Sequence, residues 1–150
     1  MASTVTAATA TVQITESLTL ANVDRGGSHT RTIPNVAEAD RRVMTVASSG
    51  ETDLVELNSA NGRGKFVRAS IRYIRITNLD DTNFIRVRFK KSGAETADVK
   101  VSAGATFMLS TGSMDVDATA SAFSAFVDID DISAQADTAD VDIEFVVFAV

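Results

Sequence analysis

Cysteine and tryptophan are absent from this 150-residue chain, and histidine, tyrosine and proline occur once each. Without cysteine there is no disulfide scaffold, thiolate zinc site, iron-sulfur cluster or thiol nucleophile, and the redox compartment is left open. A single histidine, His29, excludes a multi-histidine metal centre and leaves Ser-His-Asp chemistry formally possible. A chain of this length buries roughly 70% of the surface its unfolded form exposes, so a sizeable core needs no cross-link, and one domain fits better than two. No apolar run approaches the roughly 20 residues of a membrane helix. The start, MASTVTAATATV, has neither a basic n-region nor a continuous apolar h-region, so neither a signal peptide, an anchor nor a membrane partner is expected. Residues 2–11, with only Ala, Ser, Thr and Val, are expected to form an extended N-terminal arm over 1–11, ahead of a domain over 12–150.

Charge is present but unevenly placed. The chain carries a net charge of −6, yet all 14 basic residues lie between Arg25 and Lys100. Residues 101–150 hold nine acids and no base, and the stretch 63–91 has a local excess of seven positive charges. The chain is thus an electrostatic dipole in sequence.

Hydrophobic period sets the class. Ile85, Val87 and Phe89 alternate with Arg86, Arg88 and Lys90, a period of two that would scatter apolar side chains around a helix and instead predicts a strand with one wet face. Val141, Ile143, Phe145, Val147 and Ala149 repeat the pattern against Asp140, Asp142 and Glu144, after which both parities become apolar. That strand starts half exposed and ends covered on both sides. Val12, Ile14, Leu18 and Leu20, the run 42–47, residues 53–57, 66–77, 97–101 and 106–110 fall into the same register. Turn-forming clusters separate them at 24–28, 48–50, 58–64, 78–83, 91–93 and 111–113. The expected fold is all-β: a single-domain antiparallel β-sandwich, jelly-roll-like, with the N-terminal arm. One helical turn is expected over Pro34–Asp40 with Asn35 as N-cap. Residues 117–126 read as a helix or a loop with Phe123 and Phe126 tucked inward.

No cofactor, metal or catalytic residue is assigned. The acids Asp128, Asp130 and Asp131 and those over 137–142 invite a calcium site, but the spacing is not that of an EF-hand, and solvated carboxylates are the simpler reading. His29 beside Ser28, with Asp24 near, is more simply part of a loop or strand start than of a triad. No dinucleotide or phosphate-loop fingerprint occurs. Few aromatics interleave the basic stretch and the protein is acidic, so no nucleic-acid partner is expected, nor an enzyme. The dipole has a use in protein contacts: Arg63, Lys65, Arg68, Arg86, Arg88 and Lys90 complement Asp128, Asp130, Asp131, Asp140, Asp142 and Glu144. These candidate interface residues could meet between identical copies or pair within one molecule, and the sequence leaves both open.

The stretch Tyr73–Phe89, YIRITNLDDTNFIRVRF, with Val101–Leu109, VSAGATFML, resembles a hairpin and following strand of small structural proteins of tailed bacteriophages. The upstream GGSHTRTIP and downstream DTADVDIE segments are similar to marine phage virion proteins. The resemblance implies a β-rich virion component, carries no catalytic residue, and places the protein in the virion. Its partners would be the major capsid protein or other virion proteins. The expected role is a capsid decoration or cement protein acting as a symmetric homo-oligomer, a trimer first. A tail, neck or fibre component and a host-binding adhesin are the alternatives.

Overall fold

The computed structural model describes residues 6–58, 62, 64–91, 97–112, 114–116 and 127–150. Its strands are β1 (Ala8–Glu16), β2 (Thr19–Leu20), β3 (Val23–Asp24), β4 (Gly27–Val36), β5 (Glu38–Val46), β6 (Thr52–Asn58), β7 (Lys65–Val67), β8 (Ile71–Asn78), β9 (Ile85–Lys90), β10 (Ala97–Val101), β11 (Thr106–Leu109), β12 (Asp115–Val116), β13 (Val127–Asp128), β14 (Asp131–Ala136) and β15 (Val141–Ala149). Among the described residues the one helical element is a 3-10 turn, Arg68–Ser70, so the protein is all-β. The segment 117–126 lies outside the described residues.

The chain divides after Glu38 into two compact units, the second being Ala39–Ala149. The first is a two-stranded ribbon. β1 pairs antiparallel with β4 from Ala8↔Val36 to Glu16↔Gly27, and β2 pairs with β3 beyond it. Of the expected arm, residues 1–5 lie outside the described residues and residues 8–11 are extended and paired as strand, the Ala/Thr/Val segment finding in Thr32, Ile33 and Val36 a partner for its backbone groups. Ala21 and Asn22, at φ 50° and 63°, close the ribbon in the left-handed conformation that two-residue hairpins need to match strand twist. At Gly26 a Cβ would come within 2.5 Å of the Glu16 carbonyl oxygen, so only glycine admits this approach of the two strands.

The helical turn expected at 34–40 does not form. Asn35 sits at φ 61°, outside the helical region, where it shifts the register between Ala8 and Ala10, and strand resumes at Glu38. Left-handed asparagine makes a bulge here rather than a cap.

The second unit holds two main sheets. One runs β11-β8-β15-β5 and the other β10-β9-β14-β6-β7, antiparallel apart from the short parallel pair β6–β7. Both contribute to one core: Ile74, Ile76, Phe145 and Val147 from the first, Val55, Val87, Phe89 and Ile132 from the second. The arrangement is sandwich-like, with Phe89 and Phe107 rings 5.6 Å apart between the sheets. The period of two is why it works, since β9 buries Ile85, Val87 and Phe89 while turning its three cations outward. β15 follows its expected course, half exposed through Glu144 and then covered, with Val146 and Val147 both buried.

Two expectations about individual strands need correction. Residues 66–77 are not one strand: the 3-10 turn separates β7 in one sheet from β8 in the other. The stretch 73–89 is not a hairpin, since β8 and β9 belong to different sheets and do not pair. The Asx-rich turn instead carries the chain across the sandwich. Buried Asn78 donates to the Asn83 and Val101 carbonyls at 2.9 and 3.3 Å and accepts from the Asp80 amide at 2.9 Å. Asp80 accepts the amides of Thr82 and Asn83 at 2.7 and 2.5 Å, which holds its carboxyl below the usual range.

Replacing Asn78 by Ala removes both kinds of bond from a buried site and is expected to cost about 2–3 kcal/mol, against about 3–5 kcal/mol for Phe145→Ala at the centre of the core. Urea unfolding measures both.

Candidate assembly surfaces

The outer face of the five-stranded sheet is built by β9 and its neighbours. Arg86, Arg88 and Lys90 stand on one side of β9 at two-residue intervals and would repel one another unless countered. Glu51, just before β6, meets all three: Oε1 lies 3.2 Å from Arg86 and 2.7 Å from Arg88, and Oε2 lies 2.8 Å from Lys90. Ser133, opposite Arg88 across the β14 ladder, donates to Glu51 Oε2 at 3.3 Å. On the other flank Asp98 of β10, also paired with Arg88, grips its guanidinium through two oxygens at 2.7 Å. The hydrogen bond from Lys90 holds the Glu51 carboxyl below its ordinary range, and the one from Arg88 does the same for Asp98. Asp131 behaves oppositely. Burial pushes its carboxyl up, with Lys90 3.5 Å away as a partial counterweight.

The other residues expected at an interface are also engaged within the chain. Lys65 pairs with Glu56 at 2.7 Å, and Arg68 with Asp128 and Asp130 at 2.9 and 2.7 Å. Asp140 accepts from the Ser48 amide at 2.8 Å, and Asp142 from the Thr45 hydroxyl at 2.7 Å. Glu144 is shared by Arg41 and Arg75, which hold its carboxyl down. Arg63 lies outside the described residues. The basic stretch and acidic tail thus meet inside one molecule in part, Arg68 on Asp128 and Asp130, Arg75 on Glu144 and Lys90 on Asp131, while Arg86 and Arg88 take Glu51 and Asp98. Glu51 and Arg41, which complete these clusters, are invisible to a reading by charge blocks because each lies far in sequence from what it neutralises.

Other chemistry does not assemble. No group of three potential metal ligands converges among the described residues, and Asp128 and Asp130 face Arg68. His29 is exposed on β4 opposite Ile14, while Ser28 Oγ accepts from Gln13 at 3.1 Å. Among the described residues no helix is long and apolar enough to cross a membrane.

Two features remain as surfaces without an internal use. The ribbon is exposed along most of its length, with Ile33 and Val36 its only buried residues among those described, and its tip shows Leu18, Leu20 and Val23 at 53%, 62% and 49% exposure. In the second unit a cleft of about 530 Å³ is lined by Arg42, Met44, Asp53, Leu54, Val55, Glu56, Gly64, Lys65 and Asp131. Arg42 bonds the Leu54 carbonyl and lies 5.3 Å from the Phe145 ring centre, yet its Nε has no hydrogen-bond partner, and neither does Asp131 Oδ1.

The opposed carboxyls give a pH test. Glu51 and Asp98 have folded values below their unfolded ones, so their stabilisation is complete above pH about 5 and lost as pH falls through the lowered values. Glu51→Gln is expected to cost about 1 kcal/mol at pH 7 and to flatten the loss of stability between pH 5 and 3. Asp131→Asn leaves stability at pH 7 unchanged or raised, because burial disfavours the charge it removes. Urea midpoints across that range check both.

No family model, curated protein or solved structure matches this chain.

Proposed function

We propose that this protein is a structural component of a bacteriophage virion, a capsid decoration or cement protein with a jelly-roll domain that stabilises the shell through protein-protein contacts. The strand order supports the fold. Counting β5, β6, β8, β9, β10, β11, β14 and β15 as first to eighth, one sheet reads first, eighth, third, sixth and the other second, seventh, fourth, fifth. That alternation between sheets is the order of two interleaved Greek keys, an architecture common in capsid and lectin domains. The resemblance of residues 73–89 and 101–109 to phage structural proteins, in sequence though not in the hairpin it implied, supports the setting.

The observation that carries the role is the ribbon. A two-stranded ribbon buries too little to be stable by itself in water, and this one leaves most of both strands exposed. Its order is accounted for if a neighbouring protein surface, in the shell or in another copy, completes its burial. The cations of β9 already have acids within the chain, so the reading draws on the ribbon and not on free charge.

The test is the copy number of the protein in purified particles, measured by quantitative mass spectrometry against the major capsid protein. A decoration protein is expected at a fixed fraction of the capsid subunits. A few copies per particle would move it to the neck, tail or fibre, and absence from particles would overturn the reading.

A further inference from the structure

We infer that the outer end of the ribbon packs on the same end of a second copy, apolar face on apolar face and pointing in opposite directions, so that the protein forms a two-fold dimer. The inference rests on the reading above, in which contact completes the ribbon, and names the partner and the face.

One register runs the length of the ribbon. The pairs Thr11↔Thr32 to Glu16↔Gly27 continue without a shift into Thr19↔Asp24 and Leu20↔Val23, and between them the Arg25 amide donates to the Leu18 carbonyl at 2.8 Å. Opposed residues of an antiparallel pair share a face, and so do residues two apart. The two faces therefore differ in chemistry. One sets Thr11, Gln13 and Thr15 against Thr32, Thr30 and Ser28, and on it the Gln13 amide donates to the Ser28 hydroxyl at 3.1 Å. The other carries Ile14, Leu18, Leu20 and Val23 at its outer end, with Glu16, Arg25 and His29 among them. Such separation belongs to a strand pair with one face covered, yet Leu18, Leu20 and Val23 are among the most exposed aliphatic residues described.

The order of charge along this face selects the partner. From the tip inward its rows are Leu20 with Val23, Leu18 with Arg25, Glu16 with Gly27, and Ile14 with His29. The acid and the cation occupy adjacent rows, both are exposed, and neither has an ion-pair partner among the described residues. A second copy laid face to face and reversed about the point midway between those two rows sets each Glu16 row on the other copy's Arg25 row. Two ion pairs result, and Leu20 with Val23 comes to lie over Ile14 and His29. Gly27, where even a Cβ would stand 3.7 Å from Glu16 Oε2, leaves space beside the acid for the incoming guanidinium. Four rows of one face are thus complementary to themselves in charge and in polarity. The contact is isologous and closes at two copies. It is also small, so weak association is expected.

The experiment is sedimentation velocity on the full chain and on Leu20→Asp, Arg25→Glu and Glu16→Arg variants, each first checked for folding by circular dichroism. The wild type is expected to pass from monomer to dimer with rising concentration, and each substitution to weaken this by at least about tenfold. Arg25→Glu by itself sets acid on acid, and Glu16→Arg sets cation on cation. In an equimolar mixture of these two variants every facing pair is opposite in sign, so the mixture is expected to dimerise where neither component does. A wild type that stays monomeric up to its solubility limit, an Arg25→Glu variant that dimerises as the wild type does, or a mixture no stronger than its components would each overturn the proposal. A monomer found on particles would remove this contact and leave the virion role standing. Dimers in solution with no copies on particles would do the reverse.

Discussion

Mutual burial of two apolar sheet faces governs this protein. Ile74, Ile76 and Phe145 on one side and Val87, Phe89 and Ile132 on the other are almost wholly withdrawn from water. At roughly 25 cal/mol per Å² of apolar surface, such burial is the main favourable term the second unit has. Everything else is arranged to permit it. A strand that points every second residue inward must point the others outward, and on β9 these are three cations in a row. The fold brings acids from the approach to β6, from β10 and from β14 onto that row, so that the outer face is neutralised by neighbours in space and not in sequence.

The same constraint explains the ribbon by its absence. The alternation of Ala10, Val12 and Ile14 with Thr11, Gln13 and Thr15 is too sparse in apolar area to hold two strands on its own account. The ribbon's geometry is nonetheless specified in detail, by a left-handed turn at Ala21-Asn22 and by a glycine where the backbones meet. Under the proposed function, this specified but largely exposed element is the one that a neighbouring protein completes.

Legibility in the sequence followed the same physics. β9, β10 and β15 could be read because their apolar parity is strict, and the half-covered course of β15 because its second parity turns apolar after Glu144. β14 was hidden, since around Ile132 the residues Ser133, Ala134 and Ala136 are small, with little strand preference, and become central only through the strands on either side. β4 was hidden behind a Gly-Gly-Ser start and a segment from Pro34 that read as a helical turn. The turn at 78–83 announced itself, but whether it folds a strand back or carries it to the opposite sheet depends on Asn78 bonding the Val101 carbonyl, a partner no local pattern contains. Charge blocks showed that the two ends of the dipole are complementary, and only the fold placed Arg68 against Asp128 and Asp130.

Hydrogen-deuterium exchange of the β1–β4 amides, in dilute subunits and in assembled material, tests most directly whether contact completes the ribbon. The expected result is rapid exchange in dilute solution and strong protection on assembly, with β8, β9 and β15 protected throughout. Ribbon amides as slow as those of β15 in a dilute monomer, or unchanged on assembly, would contradict it.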